Sequence, residues 1–141
     1  MRPDRPSPNL SWAELACKDG TPYPDDFIED GRVYKLAHVF ENIRKMMGGK
    51  PLIIHSAYRT IAHNKSVGGA SSSQHLQGRA LDIAPLNKRA HVLFNTIQRN
   101  STALGVRGIG LYITFVHVDI RLTDALVVWS GYDDPNKTSR G

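Results

Sequence analysis

The segment FVHVDIRL, residues 115–122, alternates apolar and ionisable side chains with a period of two. Residues two apart on a β-strand point to the same face, so this segment predicts a strand with one face in a core. The apolar face carries Val116, Val118 and Ile120. The other face carries His117, Asp119 and Arg121. From the alternation alone, this polar face is either the solvated side of an amphipathic strand or part of a site.

The remaining segments predict an α+β fold, a single domain with a small mixed or antiparallel sheet flanked by two main helices. Apolar residues recur every three or four positions in residues 32–49 and 87–105, which predicts the helices. Asp30 is a candidate cap for the first helix, and Gly48 is a candidate for its end. Strands are predicted at 51–59, 79–85, 108–113 and 115–122, with an edge strand at 125–129. Residues 22–31 and 60–78 are predicted loops, and a loop as long as the second is typical of a functional segment.

Length and composition limit the alternatives. A chain of 141 residues suits one compact domain, placed at 10–130 between a flexible segment at 1–9 and a polar tail at 131–141. No apolar run reaches the roughly 20 residues needed to span a bilayer, so no membrane association is expected. The start of the chain has no apolar core of a signal peptide, so we expect synthesis in a cytoplasm. A single cysteine, Cys17, excludes an internal disulfide.

The formal charge of +5 bears on partners and not on fold. Anionic bacterial cell wall and nucleic acid are both polyanions that such a surface could meet. The Lys and Arg residues are scattered, without blocks or interleaved aromatics, so nucleic-acid binding is disfavoured.

A second pair of metal-ligand types occurs in SQHLQGRALDIAP, residues 73–85. Leu81 and Ile83 belong to a core face, which leaves Asp82 on the other face, and Gly78 allows a bend that returns His75 over the strand. With a third ligand from another strand, this pair would complete the three-ligand arrangement of a catalytic zinc site. Imidazole and carboxylate without thiolate favour zinc without excluding other metals.

Several segments together resemble the peptidase M15 family of zinc enzymes, which act on peptidoglycan peptides. They are SWAELACKDG, IIHSAYRT, HNKSVGGASSSQHLQGRALDIAP and GIGLYITFVHVDIR. The likeness runs from about residue 10 to residue 129, and it is strongest to the D-Ala-D-Ala carboxypeptidase-like branch of bacteria and phages. It implies one zinc ion per chain, on the open face of the sheet.

Carried over by position, the family's metal ligands fall on His75, Asp82 and His117. Its substrate-binding arginine falls on Arg59, for which a structural salt bridge is the alternative. Ser73 matches a serine that either contacts substrate or fixes the loop, and Arg121 is a further candidate for substrate binding.

The resemblance leaves the general base open. Several branches carry an acidic base three residues before the last histidine, and that position here is Thr114. Asp119 is then either the base that takes a proton from the attacking water or a residue that orients a ligand histidine.

The function that the resemblance implies is zinc-dependent hydrolysis of peptidoglycan stem or cross-bridge peptides, as a carboxypeptidase or an endopeptidase. A phage lysin released by a holin, or a virion part assembled with other tail proteins, would fit. A zinc-containing wall-binding module without activity is the alternative.

Overall fold

The computed structural model describes residues 2–131, which form six short to medium α-helices, one 3-10 helix and five strands. The helices are α1 Trp12–Leu15, α2 Asp25–Glu29, α3 Arg32–Met46, α4 Ile61–Ser66, α5 Ala90–Arg99 and α6 Ser101–Leu104. The 3-10 helix spans Gln74–Gln77. The strands are β1 Leu52–Ser56, β2 Ala80–Pro85, β3 Gly108–Leu111, β4 Val116–Asp119 and β5 Val127–Ser130.

The strands form one mixed sheet in the order β1-β2-β4-β3-β5. The pairs β1–β2, β2–β4 and β3–β4 are antiparallel, and the edge strand β5 is parallel to β3. The predicted α+β class, the mixed sheet and its two main helices, α3 and α5, are confirmed.

One face of the sheet builds the hydrophobic core with α3 and α5. Leu81, Ile83, Val116 and Val118 are fully buried on this face, as the alternation predicts. The helices contribute Val33, Leu36, Phe40, Ile43, Leu93 and Ile97 to the same cluster. The helices cover this face of the sheet. Since side chains alternate along a strand, the residues between these in β2 and β4 lie on the opposite face.

That opposite face is covered and not open. His117 and Asp119 are each 1% exposed, and Asp82 is 4% exposed. The segment between β1 and β2 folds back over the strands, where His75 Nε2 lies 3.1 Å from Asp82 Oδ1 of β2. The Arg59 N–H donates to the His75 carbonyl at 3.1 Å and joins two parts of this segment. The sequence pattern could not show this cover, because the covering segment has no periodicity of its own.

Both predicted loops contain short helices. In residues 22–31, α2 begins after Pro24 with Asp25 and Asp26 in its first turn, where carboxylates favour a helix N-terminus. In residues 60–78, the Thr60 hydroxyl accepts the His63 N–H and caps α4. Four to six residues are too few to show helical periodicity, so the sequence pattern missed these elements.

The ends of α3 are close to the prediction. The N-cap residue is Gly31 and not Asp30. Asp30 precedes the N-cap, and its carboxylate accepts the Arg32 N–H at 3.0 Å. Gly48 follows the helix with φ +80°, as predicted for its end.

Within the N-terminal segment, Ser7 and Asn9 hydrogen bond to Glu41 of α3. Its flexibility stays a prediction, and the tail lies outside the described residues except for Gly131.

Candidate metal centre

Three side chains from three elements converge on the covered face of the sheet. The β2–β4 register pairs Asp82 with His117, and the 3-10 helix brings His75 to the same point. His75 Nε2 lies 3.1 Å, and His117 Nδ1 3.0 Å, from the same oxygen, Asp82 Oδ1. Ligand atoms of all three residues lie within 4.8 Å of one another, and the group could hold a metal ion.

The bend that returns His75 over β2 depends on Gly78. This glycine has φ +65°, and a Cβ there would stand 2.6 Å from Phe27 Cδ2. The Tyr23 hydroxyl donates a 2.7 Å hydrogen bond to the Gly78 carbonyl from the same side. Both the left-handed backbone and the close packing therefore require glycine, as the sequence suggested for this bend.

Hydrogen bonds fix which nitrogen of each ring faces Asp82. His75 Nδ1 lies 2.5 Å from the Ala57 carbonyl, which can only accept, so Nδ1 carries the proton. His117 Nε2 lies 2.7 Å from Asp119 Oδ2, whose carboxylate is also bound by Arg121. Each ring therefore donates a proton away from Asp82 and turns its other nitrogen toward Asp82 Oδ1.

This arrangement fits a bound cation. Two imidazole lone pairs aimed at one carboxylate oxygen repel unless protons or a positive ion stand between them. Two imidazoles and one carboxylate are donors suited to zinc, and three protein ligands leave a position for water or substrate. Partners that orient ligand histidines from behind are typical of metal sites.

The electrostatics favour neutral imidazole at one ligand. Burial lowers the pKa of His75, against the opposing charge of Asp82. Burial also opposes the charged form of His117, but hydrogen bonds to Asp119 and Asp82 raise its pKa overall. Burial would raise the pKa of Asp82, yet the charge of His75 and the hydrogen bonds of both rings hold it well below its usual range. Asp82 is therefore an anion able to ligate.

Asp119 lies behind His117, with all its acceptor positions in use. Oδ1 accepts from the Arg121 backbone N–H at 3.1 Å and from Arg121 Nε at 2.9 Å. Oδ2 accepts from Arg121 Nη2 at 2.7 Å as well as from His117. Burial would raise the pKa of Asp119, but the bonds from Arg121 and His117 lower it to about 2. A Cβ on Gly108 would stand 2.2 Å from Oδ2, so this glycine makes room for the carboxylate.

Arg59 lies beside the ligands and holds Asp82. Its Nη2 is 3.3 Å from Asp82 Oδ2, the oxygen that the imidazoles do not contact. Its Nε donates to Ser56 at 3.1 Å, and its Nη1 donates to Asn64 Oδ1 at 3.2 Å. The side chain is 11% exposed and borders a cleft of about 620 Å³ that also reaches Tyr58 and Leu76. Arg59 therefore combines the salt bridge with access to the cleft.

The two other predicted site residues support the ligand histidines, Ser73 next to His75 and Arg121 through Asp119. Ser73 is buried, and its hydroxyl accepts the His75 N–H at 3.1 Å, which favours the loop-fixing role. The Arg121 guanidinium is held by Asp119 and lies 5.2 Å from the Trp129 ring centroid. The structure thus places Arg121 behind His117, away from the Asp82 side of that ring.

An aromatic wall, which the sequence reasoning missed, lies next to His117. The Trp129 ring centroid is 5.1 Å from that of His117, and the Trp129 indole N–H donates to the Tyr112 hydroxyl at 2.9 Å. Tyr112 stacks on Phe115 at 4.5 Å. A Cβ on Gly110 would stand 2.4 Å from Trp129 Nε1. The glycines in GIGLY were therefore the sequence signal that a large side chain packs against β3. Asn64, 3% exposed and bonded to Arg59, was also missed.

The remaining histidines lie outside the three-ligand group. His38 and His91 are exposed, on α3 and α5. His55 is exposed, and its ring centroid lies 5.7 Å from that of Phe115. His63 is half-buried on α4. Cys17 is buried and free.

Comparison with known proteins identifies the class. The family model described as Peptidase M15 matches residues 8–119. The chain therefore belongs to the peptidase M15 family, as its sequence segments suggested.

A curated relative is the zinc D-Ala-D-Ala carboxypeptidase of Streptomyces albus G. It is 42% identical to this chain over 41 residues, which cover 29% of this chain and 16% of that protein. The match thus spans about one sixth of the relative's length.

No helix within residues 2–131 has the length and apolarity needed to cross a membrane.

Proposed function

We propose that this chain hydrolyses peptide bonds of bacterial peptidoglycan with one zinc ion held by His75, Asp82 and His117. The observation that carries the proposal is the pair of imidazole nitrogens directed at Asp82 Oδ1, with each ring held by a hydrogen bond on its far side. Membership of the M15 family and the likeness to a zinc D-Ala-D-Ala carboxypeptidase support the metal and the reaction class. Zinc bound there would supply Lewis-acid activation of water and of the scissile carbonyl.

Arg59 is proposed to bind the substrate at the rim of the centre. Its guanidinium is always charged and can grip a carboxylate with two parallel bonds. Held by Ser56 and Asn64, it borders the 620 Å³ cleft. Anchoring a terminal carboxylate would favour removal of a terminal D-alanine, and contact with a carbonyl oxygen would favour cutting within the stem or cross-bridge.

Asp119 is proposed to position His117. A general base works best with a pKa near the operating pH, whereas Asp119 has a pKa of about 2 and four donors around it. Those contacts also keep the His117 proton on Nε2. Of the two roles expected for Asp119, the geometry favours orientation of a ligand over proton transfer.

Tyr112 is proposed to donate a hydrogen bond to the substrate beside the metal centre, where Trp129 links it to His117. Its oxygen already accepts the Trp129 N–H, which leaves the hydroxyl proton for another acceptor. Burial raises the pKa of Tyr112, and Asp82 acts in the same direction, so the phenol is neutral and able to donate. A donor beside the metal centre can stabilise charge that develops on a carbonyl oxygen.

The test is digestion of purified peptidoglycan by the zinc-loaded protein, with products identified by mass spectrometry. New amino groups or released D-alanine, abolished by a chelator and restored by zinc, are expected. Release that persists after complete metal removal would contradict the proposal. The products also distinguish carboxypeptidase from endopeptidase action.

A second function has one specific observation in its favour. Asp119 is fully engaged by His117 and Arg121, and position 114 carries an exposed threonine, so the acidic base of other branches is not at its usual place. The chain could then be a zinc-containing wall-binding module. One equivalent of zinc, binding to peptidoglycan and no released product would indicate this module.

We further propose that the protein acts on the bacterial cell wall, as a phage lysin or as a component of a virion. The supporting features are the net positive charge and the family.

A further inference from the structure

A second cavity, of about 440 Å³, lies beside helix α3 and is not part of the metal centre. Three arginines and one lysine border it, Arg32, Arg79, Arg107 and Lys35, together with the imidazole of His38. Asp30 is the one carboxylate that borders it among the described residues. Leu104 and Ile120 give it an apolar part.

The sheet register sets the position of two of these arginines. Ala80 of β2 and Gly108 of β3 both pair with Asp119 of β4. One position further along, the Ile120 N–H donates to the Arg79 carbonyl at 3.0 Å, and the Arg107 N–H donates to the Asp119 carbonyl at 2.9 Å. Arg79 and Arg107 therefore flank β4 on its two sides, about 10 Å apart at the backbone. Long guanidinium side chains at this spacing can reach one ligand between them.

The positive charge of this cavity is compensated only in part, by Asp30. Arg32 pairs with Asp30, but Lys35, Arg79 and Arg107 form no ion pair within residues 2–131. Burial lowers the pKa of Arg79, and the charge of Arg32 lowers it further, against the opposing charge of Asp30. Like charges held together in this way repel, and a bound anion would relieve the repulsion.

We propose that this cavity is a binding site for phosphate groups, with Arg79 and Arg107 as its main ligands. Arginine forks match the oxygens of phosphate in charge and geometry. The described lining contains no Phe, Tyr or Trp ring on which a nucleobase could stack, and His38 is its one imidazole, so a phosphate polymer without bases fits better than nucleic acid. This site goes beyond the proposed peptidase activity and does not depend on it.

The test is titration of the zinc-loaded protein with two probes, inorganic pyrophosphate and a synthetic oligo(glycerol phosphate). Nuclear magnetic resonance of the arginine Nε–H groups reports where each probe binds, apart from the metal centre. Both probes, or one of them, should shift the Arg79 and Arg107 signals. Binding of pyrophosphate alone would assign a small phosphate ligand, and preference for the oligomer would assign a polymer.

The matched variants separate a site from general charge. R79Q/R107Q should weaken binding at least tenfold, whereas K18Q/K50Q, which removes two exposed charges elsewhere, should change it less than twofold. Zinc content and thermal melting should stay unchanged in both. Absence of binding by the unaltered protein, equal weakening in both double variants, or stronger binding of a DNA duplex of equal charge would overturn the proposal.

Discussion

Asp119 Oδ2 accepts a 2.7 Å hydrogen bond from His117 Nε2, on the side of the ring that faces away from Asp82. The two residues are separated by one position on β4, so the strand that supplies a ligand also supplies the group that orients it. Gly108 on the neighbouring strand leaves the space that this carboxylate occupies. The sequence left two roles open for Asp119, general base or orientation of His117, and substitutions at this position can distinguish them.

Replacement of Asp119 by Asn should weaken zinc binding about 10- to 100-fold, because the His117 proton would no longer be held on Nε2 by a charged acceptor. At saturating zinc, substantial peptidase activity should return. The measurement is zinc affinity by competition with a chromophoric chelator, with kcat measured at high zinc. D124N, at an exposed aspartate, is the control. Complete loss of kcat at saturating zinc, with normal affinity, would show instead that Asp119 is the base.

Asp119 should also contribute to acid stability. Its pKa is lowered from 3.8 to about 2 in the folded protein, so its stabilising effect is present above about pH 4 and is lost as pH falls toward 2. The shift corresponds to about 2 kcal/mol of unfolding free energy. Urea unfolding of the metal-free protein should therefore show a steeper loss of stability between pH 4 and pH 2 than D119N does. Parallel curves for the two proteins would contradict this assignment.

Replacement of Arg59 by Lys should reduce kcat/KM about 100-fold, because an ammonium cannot reproduce three fixed contacts to Ser56, Asn64 and Asp82. Zinc affinity should fall less than in D119N, because both imidazoles keep their own partners. Steady-state kinetics on a stem-peptide substrate and zinc titration measure the two effects. Unchanged kcat/KM would remove Arg59 from the substrate site.

Replacement of Tyr112 by Phe should lower kcat about 100-fold while leaving zinc affinity unchanged, since it removes only a donor to developing charge. A phosphinate peptide that mimics the transition state should lose affinity by a similar factor, while substrate KM changes little. Y34F, at an exposed tyrosine of α3, is the control. A proportional loss in KM without a change in kcat would indicate simple substrate packing.

The fold was accessible from the sequence where periodicity is strong. The alternation of Val116 and Val118 with His117 defined β4 and its two faces, and helices α3 and α5 followed from their apolar repeats. Short elements such as α2 and α4 were not predicted, because one turn of helix leaves no repeat to recognise.

The metal ligands were predicted through resemblance, and their surroundings could not be. The tautomer of His75 depends on the Ala57 carbonyl, a backbone group with no signature in the sequence. Trp129 reaches His117 only because β5 pairs with β3 at the sheet edge and Gly110 lacks a side chain. Long-range packing of this kind sets the chemistry of the site and lies beyond local patterns.

The most direct test of the central claim is the zinc content of the purified protein and of its H117A variant, measured by mass spectrometry of the metal. One zinc ion per chain in the unaltered protein is expected, with loss of that ion in H117A and retention in H91A, a histidine exposed on α5. Zinc bound equally by both variants, or no metal bound by the unaltered protein after incubation with zinc, would contradict the account.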